Sequence, residues 1–77
     1  MAPDSEKIQD GAAMRAIRIK RKLRLRPAAA LIGCHWRYLS HMELEQRNAS
    51  PIMLQQVADA YGVSPDAIRK HTAQVAA

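Results

Sequence analysis

At 77 residues the chain is one domain, near the lower limit for a self-sufficient hydrophobic core, and with no Phe, one Trp and two Tyr that core must be aliphatic. A single cysteine excludes an internal disulfide, no apolar run is long enough to cross a membrane, and MAPDSEKIQD at the start lacks a signal peptide's apolar region, so a cytoplasmic protein is expected. The formal net charge of +5 is placed unevenly: Arg15, Arg18, Lys20, Arg21, Lys22, Arg24 and Arg26 fall in one acid-free run, whereas residues 43–66 are net acidic, and so one-sided a field favours polyanions.

Residues 1–9, short and polar with Pro3, read as a flexible N-terminal tail, and residues 10–72 as the folded domain. A first helix is predicted over about 10–23, with Asp10 or a neighbour as N-cap. Met14, Ile17 and Arg21 share one of its faces, Ile17 is expected in the core, and Arg18 lies close to that face. A second helix starts at Arg26 or Pro27, because proline is tolerated only in the first turn. Gly33 ends it, where a short turn between crossing helices needs positive φ. Ala28, Ala29 and Ile32 before the turn and Leu39 and Met42 after it keep a helical period, and Ala29 is small enough for a close crossing. This is the physical recipe for a helix-turn-helix whose second member, about 36–44 with His35 as N-cap, is presented outward.

Ser50-Pro51 starts a fourth helix, on which Leu54, Val57, Ala58 and Tyr61 keep the period until Gly62 stops it. Ser64-Pro65-Asp66 repeats the start signal for a fifth helix running to about residue 72, with residues 73–77 fraying. Five short helices and no strand signal make the expected fold all-α.

From Met14 to Ile68 the chain resembles, without a gap, the lambda-repressor/Cro-like helix-turn-helix family. The likeness rests on Arg18, Leu23, Ala29, Gly33, Leu39 and Glu43. It continues through Arg47-Asn48, Ser50, Leu54, Val57-Ala58 and the stretch Tyr61-Gly62-Val63-Ser64-Pro65-Asp66. It implies a five-helix lambda-repressor-like bundle, and an ion pair in which Arg18 bridges to Glu43 at the end of the recognition helix, orienting that helix and aiming the arginine toward a phosphate. The chain departs from the family at three places. A small polar cap and a Gln are replaced by Arg24 and Leu25, leaving the second helix weakly capped. Glu45 stands where the family commonly has Gly, so the recognition helix is expected to run on by a fraction of a turn, with a carboxylate that repels phosphate.

Base reading falls to the outward positions Trp36, Arg37, Ser40 and His41, since arginine can bind guanine bidentately and Ser or His can donate to several base edges. Trp36 fits a thymine methyl or a sugar–phosphate on DNA, and equally packing or a protein partner. Arg24, Arg26, Tyr38, Arg47 and Asn48 are the candidates for DNA-backbone contacts, alongside helix N-termini. Tyr38 fits packing against the first helix as well.

No catalytic arrangement is visible. Ser40 and His41 are adjacent on a helix and point about 100° apart. Cys34, His35, His41 and His71 invite a metal reading, but Cys34 sits at a turn position that is apolar in the family, so no metal and no cofactor are expected.

Two functions fit. One is a sequence-specific double-stranded DNA-binding regulator of phage or plasmid type in a bacterial host, a Cro-like repressor that occludes its promoter as a dimer formed weakly and on DNA. Its dimer surface would involve Ile68 and Val75. The other is a protein-interaction module on the same scaffold, an antitoxin or antirepressor-like adaptor that exposes Trp36 and Tyr38. Neither calls for a membrane or a small-molecule ligand.

Overall fold

Local start and stop signals set the helix bounds in the computed structural model, which describes residues 7–70. The order is α1 (Gly11–Lys20), α2 (Leu25–Ile32), α3 (Trp36–Glu43), α4 (Pro51–Tyr61) and a 3₁₀ turn (Pro65–Ile68). The Asp10 carboxylate accepts the Ala13 N–H at 3.1 Å and opens α1, and the Ser50 hydroxyl accepts the Met53 N–H at 3.0 Å and opens α4, with Pro51 following as its first residue. α2 starts at Leu25, just before the expected Arg26 or Pro27, and its N-cap Arg24 makes no side-chain capping bond. Its exit is Gly33, at φ 97°, whose N–H donates to the Ala29 carbonyl at 2.8 Å. A side chain there would be strained, so glycine fixes the turn between α2 and α3.

Most of the buried apolar residues are those with helical period: Met14, Ala28, Ala29, Ile32, Leu39 and Met42 from the first three helices, and Leu54, Val57, Ala58 and Tyr61 from α4, joined by Ala49 and Ile68. Each fully buried Leu, Val or Met side chain stabilises the fold by about 1.5–3 kcal/mol. On α1 the central contact is Met14, fully enclosed, whereas Ile17 is only partly buried. α1 ends at Lys20, three residues short of the expected Leu23, because Lys22 takes a left-handed backbone at φ 59°.

Four α-helices are present among the described residues, and the expected fifth is a single 3₁₀ turn. Its helical start signal is genuine, for the Ser64 hydroxyl accepts the Asp66 N–H at 3.2 Å. Propagation fails because the Ile68 carbonyl, which a longer helix would use internally, accepts from the Asp10 N–H at 2.8 Å. The Lys70 N–H donates in turn to the Ile8 carbonyl at 2.9 Å, so Gln9 and Arg69 form an isolated antiparallel bridge. Residues 7–9, expected in the tail, are thus packed onto the domain. Ile68, expected on a dimer surface, is fully enclosed in the core. Residues 1–6 and 71–77, Val75 and His71 among them, lie outside the described residues. No helix among the described residues is long and apolar enough to cross a membrane.

Candidate nucleic-acid interface

α2 and α3 pack against each other across the Gly33 turn, and Ala28, Ala29 and Leu39 are buried in the same core. From the far side, Gln56 of α4 donates to the Ile32 carbonyl at 3.1 Å and satisfies an acceptor that the end of α2 leaves open. α3 is capped by His35, whose Nδ1 accepts the Arg37 N–H at 3.1 Å.

The back of α3 is pinned to α1. Arg18 Nε and Nη2 donate to the two Glu43 oxygens at 2.7 and 3.0 Å, and Nη1 donates to the Leu23 carbonyl at 2.9 Å. Both residues are 8% exposed, so the pair is buried as well as bidentate. Its hydrogen bond to Glu43 raises the Arg18 pKa against the opposing effect of burial. All three guanidinium nitrogens of Arg18 are thus bonded within the protein, tying α3 to α1 and to the Leu23 carbonyl. Tyr61 lies in the same buried region: burial, then the Glu43 charge, push its hydroxyl pKa up to about 12.

The front of α3 carries the expected readers. Arg37 is exposed, Ser40 and His41 are half-buried, and Arg37, Tyr38 and His41 join His35 and Arg47 around one shallow depression. Ser40 does not line it. Trp36 is half-buried, with the Arg26 and Arg37 guanidinium carbons 5.0 and 5.4 Å from its ring centroid. Arg24 and Arg26 are exposed at the uncapped start of α2, and of the seven basic residues in the run 15–26 only Arg18 is buried. Tyr38 packs partly against the core and its hydroxyl donates to the Asn48 carbonyl at 3.5 Å. Asn48 is exposed, but its Oδ1 accepts the Ile8 N–H at 3.0 Å, so part of this side chain is committed within the protein.

Three further residues shape this site, and two of them, Gln9 and Gly11, carry no local signal of doing so. Gln9 is fully buried: its amide nitrogen donates to the Met42 and Arg47 carbonyls at 3.1 and 2.7 Å, and its oxygen accepts the Ala49 N–H at 3.0 Å. The segment leaving α3 is therefore tied down by a residue more than thirty positions upstream. Gly11 faces the end of α3 so closely that a Cβ built on it would lie 2.1 Å from the Glu43 carbonyl oxygen. Glu45 adopts φ 59°, the left-handed conformation that the family's glycine would supply, so α3 stops at Glu43 and does not run on. Its carboxylate turns inward, accepting from the Gly11 N–H at 2.9 Å and the Lys70 ammonium at 2.6 Å. Burial pushes that carboxyl up, but the Lys70 and Gly11 hydrogen bonds outweigh it and hold the group below the usual carboxylate range. Glu45 thus stabilises the left-handed turn and the start of α1, and its charge is compensated within the protein.

The Cys34 thiol is half-buried, and burial raises its pKa. Among the described residues no three His, Cys, Asp or Glu side chains are grouped to hold a metal ion.

Two short helices crossing at a left-handed glycine, the second buttressed from behind and cationic in front, define a helix-turn-helix protein. A helix-turn-helix family model matches residues 14–68, and the chain belongs to this lambda-repressor/Cro-like family of DNA-binding transcription regulators. Among solved structures the chain is similar to the restriction-modification controller protein C.AhdI from Aeromonas hydrophila, at 28% identity and a TM-score of 0.72, over 74% of this chain and 86% of that one. It is also similar to the clp gene regulator ClgR from C. glutamicum, at 32% identity and a TM-score of 0.69, over 73% of each chain. No curated protein sequence matches.

Proposed function

We propose that this protein is a sequence-specific transcriptional regulator that seats α3 in the major groove, acting in Cro-like fashion as a repressor that occludes its promoter as a dimer. The carrying observation is the two-sidedness of α3: its back is locked by the bidentate Arg18–Glu43 pair, and its front presents Arg37 and His41 flanked by exposed Arg24, Arg26 and Arg47. A rigid helix with cations around its leading end suits a groove bounded by phosphates. Arg37, Ser40 and His41 read base edges. Arg24, Arg26, Arg47 and the uncapped N–H groups at the start of α2 contact phosphates, with Tyr38 and the free part of Asn48 at the edge of the contact. The neighbours, a controller protein and a gene regulator, agree with a regulatory role.

An adaptor role that relies on exposed Trp36 and Tyr38 has less support, because both side chains are half-buried. Operator selection followed by quantitative binding tests the DNA reading. Arg37→Ala is expected to lower operator affinity by about 1–3 kcal/mol and to relax preference at one or two base positions. Equal loss on every sequence would make Arg37 a phosphate contact. Steep salt dependence of binding supports the phosphate contacts, and salt-insensitive binding would speak against them.

A further inference from the structure

Trp36 occupies the first position of α3, yet its ring is partnered by the second residue of the preceding helix as well as by its own neighbour. The Arg26 guanidinium carbon lies 5.0 Å from the ring centroid and that of Arg37 5.4 Å, both within cation–π range. The indole is itself held in place. It packs partly against the core, and the His35 ring stacks beside it at 5.7 Å with 28° between planes. His35 is in turn fixed as the cap of α3 through the Arg37 N–H. A side chain whose role was packing alone would not need two guanidiniums over its ring, and one free to read a base would not share its ring with them.

We propose that Trp36 is a positioning residue: its indole orders Arg26 and Arg37, one from each helix of the motif, so that a phosphate-directed and a base-directed arginine meet DNA already aligned. Ordering a long, exposed arginine costs conformational entropy at the moment of binding, and a prior contact with a rigid ring removes part of that cost. The same indole bridges the first turns of α2 and α3, so it fixes the spacing between the two arginines as well as their directions. This assignment rests on the DNA-binding reading above and deepens it, by moving Trp36 from the base-reading set to the group that aims the readers.

The test compares wild type, Trp36→Phe and Trp36→Leu by two independent readouts. In the free protein, NMR of the arginine Nε–Hε groups should show ring-current-shifted resonances for Arg26 and Arg37, partly kept in Trp36→Phe and lost in Trp36→Leu. On the selected operator duplex, Trp36→Leu should bind about tenfold more weakly and Trp36→Phe nearly as well as wild type, which is the scale of one or two cation–π contacts. Circular dichroism of each variant separates these losses from unfolding. If the arginine resonances are unshifted in wild type, or if Trp36→Leu is folded and binds the operator like wild type, the assignment is overturned. It is also overturned if both variants change preference at one base position without moving the arginine resonances, for then the indole reads a base. Should wild type discriminate between no duplexes at all, the DNA reading falls, and the resonances decide alone whether the indole orders the two arginines.

Discussion

Among the described residues, the Tyr61 hydroxyl is a buried side-chain polar atom without a hydrogen-bond partner, beside the buried Arg18–Glu43 pair. An unpartnered buried hydroxyl carries a desolvation cost, so Tyr61→Phe should leave stability unchanged or raise it by up to about 1–3 kcal/mol. The pH dependence has a definite sign. The hydroxyl ionises near its ordinary value of 10 in the unfolded chain and only at about 12 in the folded one. Between those values the unfolded state binds fewer protons, so the fold loses stability as pH rises through that window. Denaturant melts at pH 9 and 11 should show this loss in wild type and a smaller one in Tyr61→Phe; identical losses would mean that other groups cause it. Gln9 shows the limit of reading single residues. Its three hydrogen bonds reach residues 33 to 40 positions away, and nothing in its neighbours distinguishes it from a solvated tail residue.

At the scale of elements, α3 is held from behind by α1, through one ion pair and one close backbone approach. Removing either Arg18 or Glu43 alone leaves a buried charge unpaired and should cost about 3–5 kcal/mol, a large share of the stability of a domain this small. Thermal melts of Arg18→Met, Glu43→Leu and the double variant should therefore be strongly non-additive, the double variant losing less than the sum; small additive shifts would mean that the pair contributes little. Gly11→Ala tests the close approach. The added methyl meets backbone that cannot swing aside, so a cost of about 1–3 kcal/mol or more is expected, against the usual gain from glycine to alanine in a helix. A neutral or stabilising result would show that α1 and α3 can separate freely. Helix existence was legible because the caps are local: Asp10, Ser50 and Gly33 act where their side chains or backbones predict. Besides the end of α1, where Lys22 turns the backbone left-handed, two misread ends have a common cause. α3 stops because Glu45 trades backbone strain for contacts with Gly11 and Lys70, and the 3₁₀ turn stops because the segment around Gln9 takes its last carbonyl. Both depend on residues distant in sequence, which periodicity cannot register.

For the whole molecule, the outward face of α3 was legible as the candidate site, while the N-terminal segment that braces it was not. The proposed dimer also changes. With Ile68 enclosed in the core, the exposed large apolar side chains among the described residues are Ile19, Leu31, Leu44 and Ile52, and these are its candidates for a self-association surface. One recognition helix reads too few base pairs to single out a genomic site, so pairing across a two-fold axis is expected, with half-sites about 34–36 Å apart. Sedimentation should find mostly monomer at low micromolar concentration and a two-to-one complex on operator DNA; a strictly one-to-one complex on an asymmetric site would rule out the Cro-like arrangement. The central claim is that α3 reads DNA sequence, and selection of bound duplexes from a random pool measures this most directly. The predicted result is enrichment of one two-fold symmetric motif by wild type, with preference relaxed at one or two positions per half-site in Arg37→Ala. A pool that emerges from selection with no enriched sequence would contradict it.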